Sequence, residues 1–96
     1  MYYVYVLQSD KDNKLYTGYT SDLKSRFDQH CAGLVKSTCN RRPLKLIYYE
    51  ACLTSEDARH REIYLKTAYG KRYLKNRLKT YFTGQVTFWH SYLITF

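Results

Sequence analysis

The spacing of apolar and polar positions changes several times along this chain. Tyr2 to Gln8 (YYVYVLQ) is aromatic and β-branched, a composition that suits a pleated surface, and predicts a strand. Alternation puts Tyr3, Tyr5 and Leu7 on one face and Val4 and Val6 on the other. Ser9 to Asn13 (SDKDN) carries turn chemistry, and Leu15 to Thr20 (LYTGYT) predicts a second strand. So short a loop makes the two strands an antiparallel hairpin. Gly18 interrupts the second strand. A glycine there weakens pairing and marks a bulge or a close approach by a ligand.

The period then becomes helical. Thr20-Ser21-Asp22 reads as a helix start, with a hydroxyl cap and an acid in the first turn. The helix runs to about Ala32, Gly33 ends it, and Leu23, Phe27 and Cys31 form its apolar stripe. Leu34 to Arg42 is a polar, basic loop closed by Pro43, and Leu44 to Cys52 (LKLIYYEAC) predicts a third strand. Thr54 and Asp57 fit a capping box for a helix reaching about Tyr69, which Gly70 breaks. Lys71 to Tyr81 predicts a further helix with Leu74, Leu78 and Tyr81 on one side. After Thr83 the residues Val86, Phe88, Tyr92, Ile94 and Phe96 recur at strand-like spacing, and no Lys, Arg, Asp or Glu occurs among them. The predicted fold is a small α/β (α+β) domain: a mostly antiparallel three-stranded sheet flanked by helices, in the order β-β-α-β-α-α. Residues 1–80 form that domain, and 81–96 are a tail whose role the sequence leaves open between an extra strand, an oligomer contact and a segment foreign to the domain.

Ninety-six residues suffice for one domain with a real core. The charge is uneven. Ten basic residues face eight acidic ones up to Glu62; beyond it come six basic residues and no acid. A basic half of this kind points to a polyanion, most simply nucleic acid, although a charge kept for solubility gives the same count. Cys31, Cys39 and Cys52 form no CxxC pair and lack zinc-ligand spacing. With no signal peptide and no apolar run of membrane-spanning length, the expected setting is a reducing cytoplasm, with no membrane partner.

Three groups of residues could carry chemistry. Glu62 occupies the i+4 position of an Ala58, Leu65, Tyr69 stripe, where an apolar side chain is expected. A half-buried carboxylate needs a cation: either a salt bridge to Arg59 or Lys66, or a metal ion. Arg26 and His30 share one helical face. Arg26 offers a planar fork suited to phosphate, and His30 could shuttle a proton. The plain alternatives are an Asp22–Arg26 ion pair and a core-edge histidine. Tyr5 and Tyr16 lie on paired strands and come near each other across the ladder, as packing residues or as reactive phenols.

Taken in order, these pieces resemble one family. Tyr3-Val4-Tyr5, ten residues, and Tyr16-Thr17-Gly18 resemble the paired signature of the GIY-YIG nuclease superfamily. SRFDQH with Arg26 and His30, then RRPLKLIYYE, then EDARHREIYLK with Glu62 follow in the family's order. The resemblance covers about residues 2–78 and is closest to small, single-domain bacterial members. Tyr3 stands for the first Gly of the signature, and Val4 and Thr17 stand for its Ile residues; these are packing positions.

The resemblance implies an endonuclease that hydrolyses DNA phosphodiesters, including branched, flapped or single-stranded-containing DNA, with a single Mg²⁺ or Mn²⁺. It implies catalytic roles for Tyr5, Tyr16, Arg26, His30 and Glu62, with Glu62 as metal ligand and Arg26 on the scissile phosphate. Tyr5, Tyr16 and His30 remain rival acceptors for the proton of the attacking water. Gly18 would keep the floor of the cleft open to the substrate backbone. Arg41, Arg42, Lys71, Arg72, Lys75 and Arg77 would grip phosphates, and Asn76 resembles a late polar position of the family. Family members often choose their target through an added domain; none is visible in this sequence, so specificity is expected to be low or to come from a protein partner. A non-catalytic nucleic-acid-binding module of the same fold, and an RNA-binding protein explained by charge alone, are the rival readings.

Overall fold

The structure is a computed structural model that describes residues 1–84. It falls into two compact units, Met1–Ile63 and a second beginning at Tyr64.

The first unit is built on a three-stranded antiparallel sheet in the order β2-β1-β3, with β1 at Tyr2–Ser9, β2 at Leu15–Thr20 and β3 at Leu44–Cys52. The middle strand is the one apolar on both faces, and Val4 through Ser9 are all buried. A half-buried strand would show polar residues on alternate positions. Fully burying a side chain such as Leu7 contributes about 1.5–3 kcal/mol. The β1–β2 hairpin pairs Tyr5 with Gly18 and Leu7 with Tyr16, so Tyr5 and Tyr16 are diagonal neighbours on one face. Asn13 makes the tight turn in the left-handed region, which Asn tolerates. The β1–β3 ladder slips by one residue between Val6 and Leu7, where β3 carries an extra residue.

Helix α1 spans Leu23–Cys31. Its cap is Asp22 itself, which accepts from the Ser25 amide at 3.1 Å, while the Thr20 hydroxyl accepts from the Asp22 amide. The expected hydroxyl cap therefore sits two residues back, supporting the true one. Gly33, at φ +80°, ends the helix as expected. The buried edge of α1 is not the predicted Leu23–Phe27–Cys31 stripe. Cys31 is exposed and His30 takes its place, giving Leu23, Phe27 and His30 at i, i+4, i+7. Leu23 and Phe27 pack on a cluster of Tyr5, Leu7 and Leu44, joined by Tyr16 and Leu46. The loop after α1 contains a short 3-10 turn, Cys39–Arg41, and is less polar than it reads, because Val35 and Thr38 are buried.

Helix α2 spans Ser55–Leu65, with the Thr54 hydroxyl accepting from the Asp57 amide at 3.2 Å. It stops four residues short of the expected end. Thr67 caps a new helix, α3 (Ala68–Arg77), by accepting from the Gly70 amide. Gly70 is thus not a breaker. It lies buried in the first turn of α3, where an added Cβ would collide with the backbone of Tyr64 and Leu65. Tyr69, expected to continue the α2 stripe, is 69 % exposed. A kink at Leu78 separates α3 from a five-residue helix α4, Lys79–Thr83. The strand-like tail lies outside the described residues from 85 onward.

Candidate active site

Tyr5 sits at the centre of β1, opposite Gly18. The absent side chain makes room for the Tyr5 phenol, whose oxygen lies 2.5 Å from where a Cβ at Gly18 would be. The expected open floor at Gly18 is therefore filled by Tyr5, and Gly18 is buried. Tyr16, two residues along β2, brings its ring to 6.4 Å from that of Tyr5.

His30 reaches the same spot from the last turn of α1. It is fully buried, with its Nε2 2.9 Å from the Tyr5 oxygen and its Nδ1 2.7 Å from the Thr38 hydroxyl. The His30 ring also meets Tyr16 edge-on, centroids 5.2 Å apart. Thr38, Tyr5, His30 and Tyr16 thus form one cluster. Thr38 was invisible to the sequence reading. A buried hydroxyl in an irregular loop obeys no period, and its position eight residues beyond His30 fits no helical or strand spacing.

Arg26 lies one turn before His30, half-buried, with Nη1 donating to Gln29 Oε1 at 3.0 Å. The expected Asp22–Arg26 ion pair is replaced by the Asp22 cap. Burial, together with the Arg26 charge, pushes the His30 imidazole down to about 4. His30 is therefore neutral at pH 7 and a weak base. Burial raises the Tyr5 phenol. Hydrogen bonding and charge from Arg26 pull it back, the charges of Tyr16 and Glu62 add to the rise, and the net direction is up. Arg26 alone does not make Tyr5 a phenolate.

Glu62 follows Ala58 and precedes Leu65 on α2, and both neighbours on that stripe are buried. Its side chain is 14 % exposed, and the Arg59 Nε lies 3.9 Å from Oε1, a long contact for an ion pair. Arg59 also stands over the Tyr19 ring at 5.9 Å. The effect of Glu62 on Tyr5 ties this carboxylate electrostatically to the cluster. Among the described residues no group of three or more His, Cys, Asp and Glu side chains could hold a metal. A single carboxylate nevertheless suits Mg²⁺ or Mn²⁺, since magnesium binds through one or two carboxylates and keeps several waters. The donor set fits one hard divalent ion held by Glu62. It does not fit zinc, which favours sulfur and nitrogen ligands.

A second polar network was also missed. Arg61 on α2 grips Glu50 on β3 through Nε at 3.0 Å and Nη2 at 2.9 Å, and Tyr48 donates to the same carboxylate at 2.8 Å. Burial acts to raise Glu50, but Arg61 and Tyr48 outweigh it and hold the carboxyl below its ordinary value.

The candidate phosphate-binding residues divide. Arg41 donates to the Leu15 carbonyl at 3.3 Å. Arg42 donates to the Cys39 carbonyl at 2.9 Å, and its guanidinium covers Gly33. Both help to hold the loop before β3. In the second unit Lys71, Arg72, Lys75, Asn76 and Arg77 are all exposed, with Arg72 over the Tyr69 ring at 5.7 Å.

Comparison with known proteins gives the family. The profile of a family described as "GIY-YIG catalytic domain" matches residues 1–81. The chain is 41% identical over 75 residues to UPF0213 protein SH2523 of Staphylococcus haemolyticus, covering 77% of this chain and 90% of that one. It is 43% identical over 67 residues to UPF0213 protein CPE1444 of Clostridium perfringens, covering 69% and 71%. The solution NMR structure of the UPF0213 protein BH0048 from Bacillus halodurans superposes with a TM-score of 0.50 at 34% identity, over 79% of this chain and 84% of that one. Nucleases with this domain act on nucleic acid and generally use divalent metal ions. Among the described residues no helix is long and apolar enough to cross a membrane. With that profile matching residues 1–81 and relatives 41% and 43% identical over most of the chain, the chain belongs to the GIY-YIG family, alongside the UPF0213 proteins.

Proposed function

We propose that this protein is a divalent-metal-dependent endonuclease that hydrolyses DNA phosphodiester bonds, with branched or flapped DNA as its substrates. We assign the nuclease to residues 1–80, and the family match over 1–81 supports that boundary. The observation that carries the reading is the cluster itself: Tyr5 hydrogen-bonded to a buried neutral His30, Tyr16 against both rings, and Arg26 acting on Tyr5.

Exposure sorts the three candidate bases. His30 is fully buried and Tyr5 is 1% exposed, whereas Tyr16 is half-buried at the edge of the cluster. Tyr16 is therefore the phenol that meets the attacking water. As the phenolate it takes the water proton and becomes a phenol while the water oxygen bonds phosphorus, and the bond from phosphorus to the opposite sugar oxygen breaks. Tyr5 and His30 support it from beneath. Arg26 binds the phosphoryl oxygens, where charge develops. Glu62 would hold the Mg²⁺ or Mn²⁺, which would supply positive charge to phosphate and water. The exposed basic residues of α3, with Arg41 and Arg42, supply sequence-independent phosphate contacts.

The test is cleavage of plasmid, branched and flapped DNA with Mg²⁺, Mn²⁺ or chelator, beside binding to duplex RNA, single-stranded RNA and DNA at matched salt. Metal-dependent cutting of DNA is expected. Binding without cutting under every metal would favour a non-catalytic module, and a strong preference for RNA would overturn the DNA reading.

A further inference from the structure

Thr38, His30 and Tyr5 form a chain of three groups joined by two short hydrogen bonds. The Thr38 hydroxyl lies 2.7 Å from Nδ1, and the Tyr5 oxygen lies 2.9 Å from Nε2. A neutral imidazole carries one N–H, and each hydroxyl carries one proton. Three protons serve two links, so one proton is spare, and it must sit at one end of the chain.

The two tautomers differ in which end. If Nδ1 is protonated, it donates to Thr38 and Tyr5 donates to Nε2, which leaves the Thr38 proton spare. If Nε2 is protonated, it donates to the Tyr5 oxygen and Thr38 donates to Nδ1, which leaves the Tyr5 proton spare. The Thr38 end is closed. Thr38 is fully buried, and its hydroxyl pairs with His30 alone among the described residues. Its backbone is tied into the local turns through Val35 and Arg41. A hydroxyl proton stranded there would be left without an acceptor in a buried site. The Tyr5 end is different. Tyr5 is itself buried, but its ring lies against that of Tyr16, a half-buried side chain whose phenol oxygen can accept.

We propose that Thr38 is a positioning residue: its hydroxyl donates to His30 Nδ1 and holds His30 as the Nε2–H tautomer, so that Tyr5 receives a hydrogen bond from His30 and turns its own proton away from it. Tyr5 then offers a donor to the site. On the endonuclease reading above, on which this consequence rests, that donor serves the phenolate oxygen of Tyr16 and orients it before it takes the water proton. A donor set in place before substrate arrives needs no reorganisation during the reaction.

The test reads the tautomer directly. Long-range proton–nitrogen NMR correlation of the His30 ring at pH 7 is expected to show Nδ1 as an unprotonated acceptor and Nε2 as the protonated nitrogen, both in the wild type and in Thr38→Ser. A protonated Nδ1 in the wild type overturns the proposal, whatever the variants do. In cleavage assays Thr38→Val, nearly the same volume without the hydroxyl, is expected to lower kcat about 10–100-fold, the range known for outer partners of a ligating imidazole. DNA affinity should not change, and Thr38→Ser should cut within about twofold of wild type on the same scale. Thr38→Val cutting at the wild-type rate would also overturn the proposal. An Nε2–H His30 in a wild-type protein that cuts no DNA would uphold the positioning role and refute the endonuclease reading. If Thr38→Val does not fold, the wild-type spectrum still decides.

Discussion

Tyr5 and Gly18 face each other across the β1–β2 ladder, and the phenol of Tyr5 occupies the space in which a side chain at Gly18 would begin. The phenol cannot simply swing clear, because its oxygen is bonded to His30 and its ring is packed in the core. Gly18→Ala should therefore destabilise the protein by about 1–3 kcal/mol, the usual cost of overpacking. It should also lower cleavage by about 100-fold through displacement of the phenol. On top of Tyr5→Ala, the same change should cost less than half as much stability. Thermal melts of the four proteins check this, and equal costs in the two backgrounds would contradict it.

The environment of His30 bears on the pH dependence of the reaction. A histidine held at about 4 is already unprotonated above pH 5 and gives no inflection near its ordinary value of 6.5. Single-turnover cleavage should therefore show no inflection near pH 6.5. A plateau above pH 7 with an inflection near 6.5 would point to His30 instead.

The same burial links His30 to stability. Its folded value lies below its unfolded value, so between about 6.5 and 4 the unfolded chain binds the extra proton. Stability is fully present above pH 6.5 and is lost as pH falls toward 4, by up to about 3 kcal/mol from this group. Comparing wild type with His30→Gln from pH 7.5 to 4 isolates the effect. The difference between their unfolding free energies should shrink steadily across that window, and a constant difference would contradict the assignment.

Gly70 makes a sharper demand than Gly18. Its added Cβ would meet backbone at Tyr64 and Leu65, not the end of a side chain. Backbone cannot rotate aside, so Gly70→Ala should cost at least about 2–3 kcal/mol, even though alanine is the better helix former. Denaturant unfolding measures it. A neutral or stabilising substitution would contradict the close approach of α3 to the end of α2.

The sheet, the hairpin and the helix order were legible because each rests on a local signal. Aromatic and β-branched composition in β1, a short polar turn and a capping threonine at Thr54 all act over a few residues. The misreadings share a different cause. His30 replaced Cys31 on the buried face of α1 because it finds partners in Tyr5 and Thr38, both distant in sequence. Gly70 looked like a helix breaker because its close neighbours are backbone atoms, which no side-chain pattern reveals. The Glu50–Arg61 pair joins a strand to a helix eleven residues on, and nothing in the spacing of charges singles it out. At the site, the order of Tyr5, Tyr16, Arg26, His30 and Glu62 was readable. The placing of Tyr5 over Gly18 and the hydroxyl behind His30 were not, since both depend on how strands and loop meet.

The central claim is that this cluster, with the carboxylate of Glu62, cuts DNA. The most direct measurement compares purified wild type and Glu62→Ala on nicked-plasmid formation in Mg²⁺ or Mn²⁺, with DNA binding measured on both. Wild type should nick the plasmid. Glu62→Ala should bind as well and cut at least about 100-fold more slowly, since loss of the one metal-holding carboxylate removes several kcal/mol of transition-state stabilisation. Equal residual cutting by the two proteins would contradict the account.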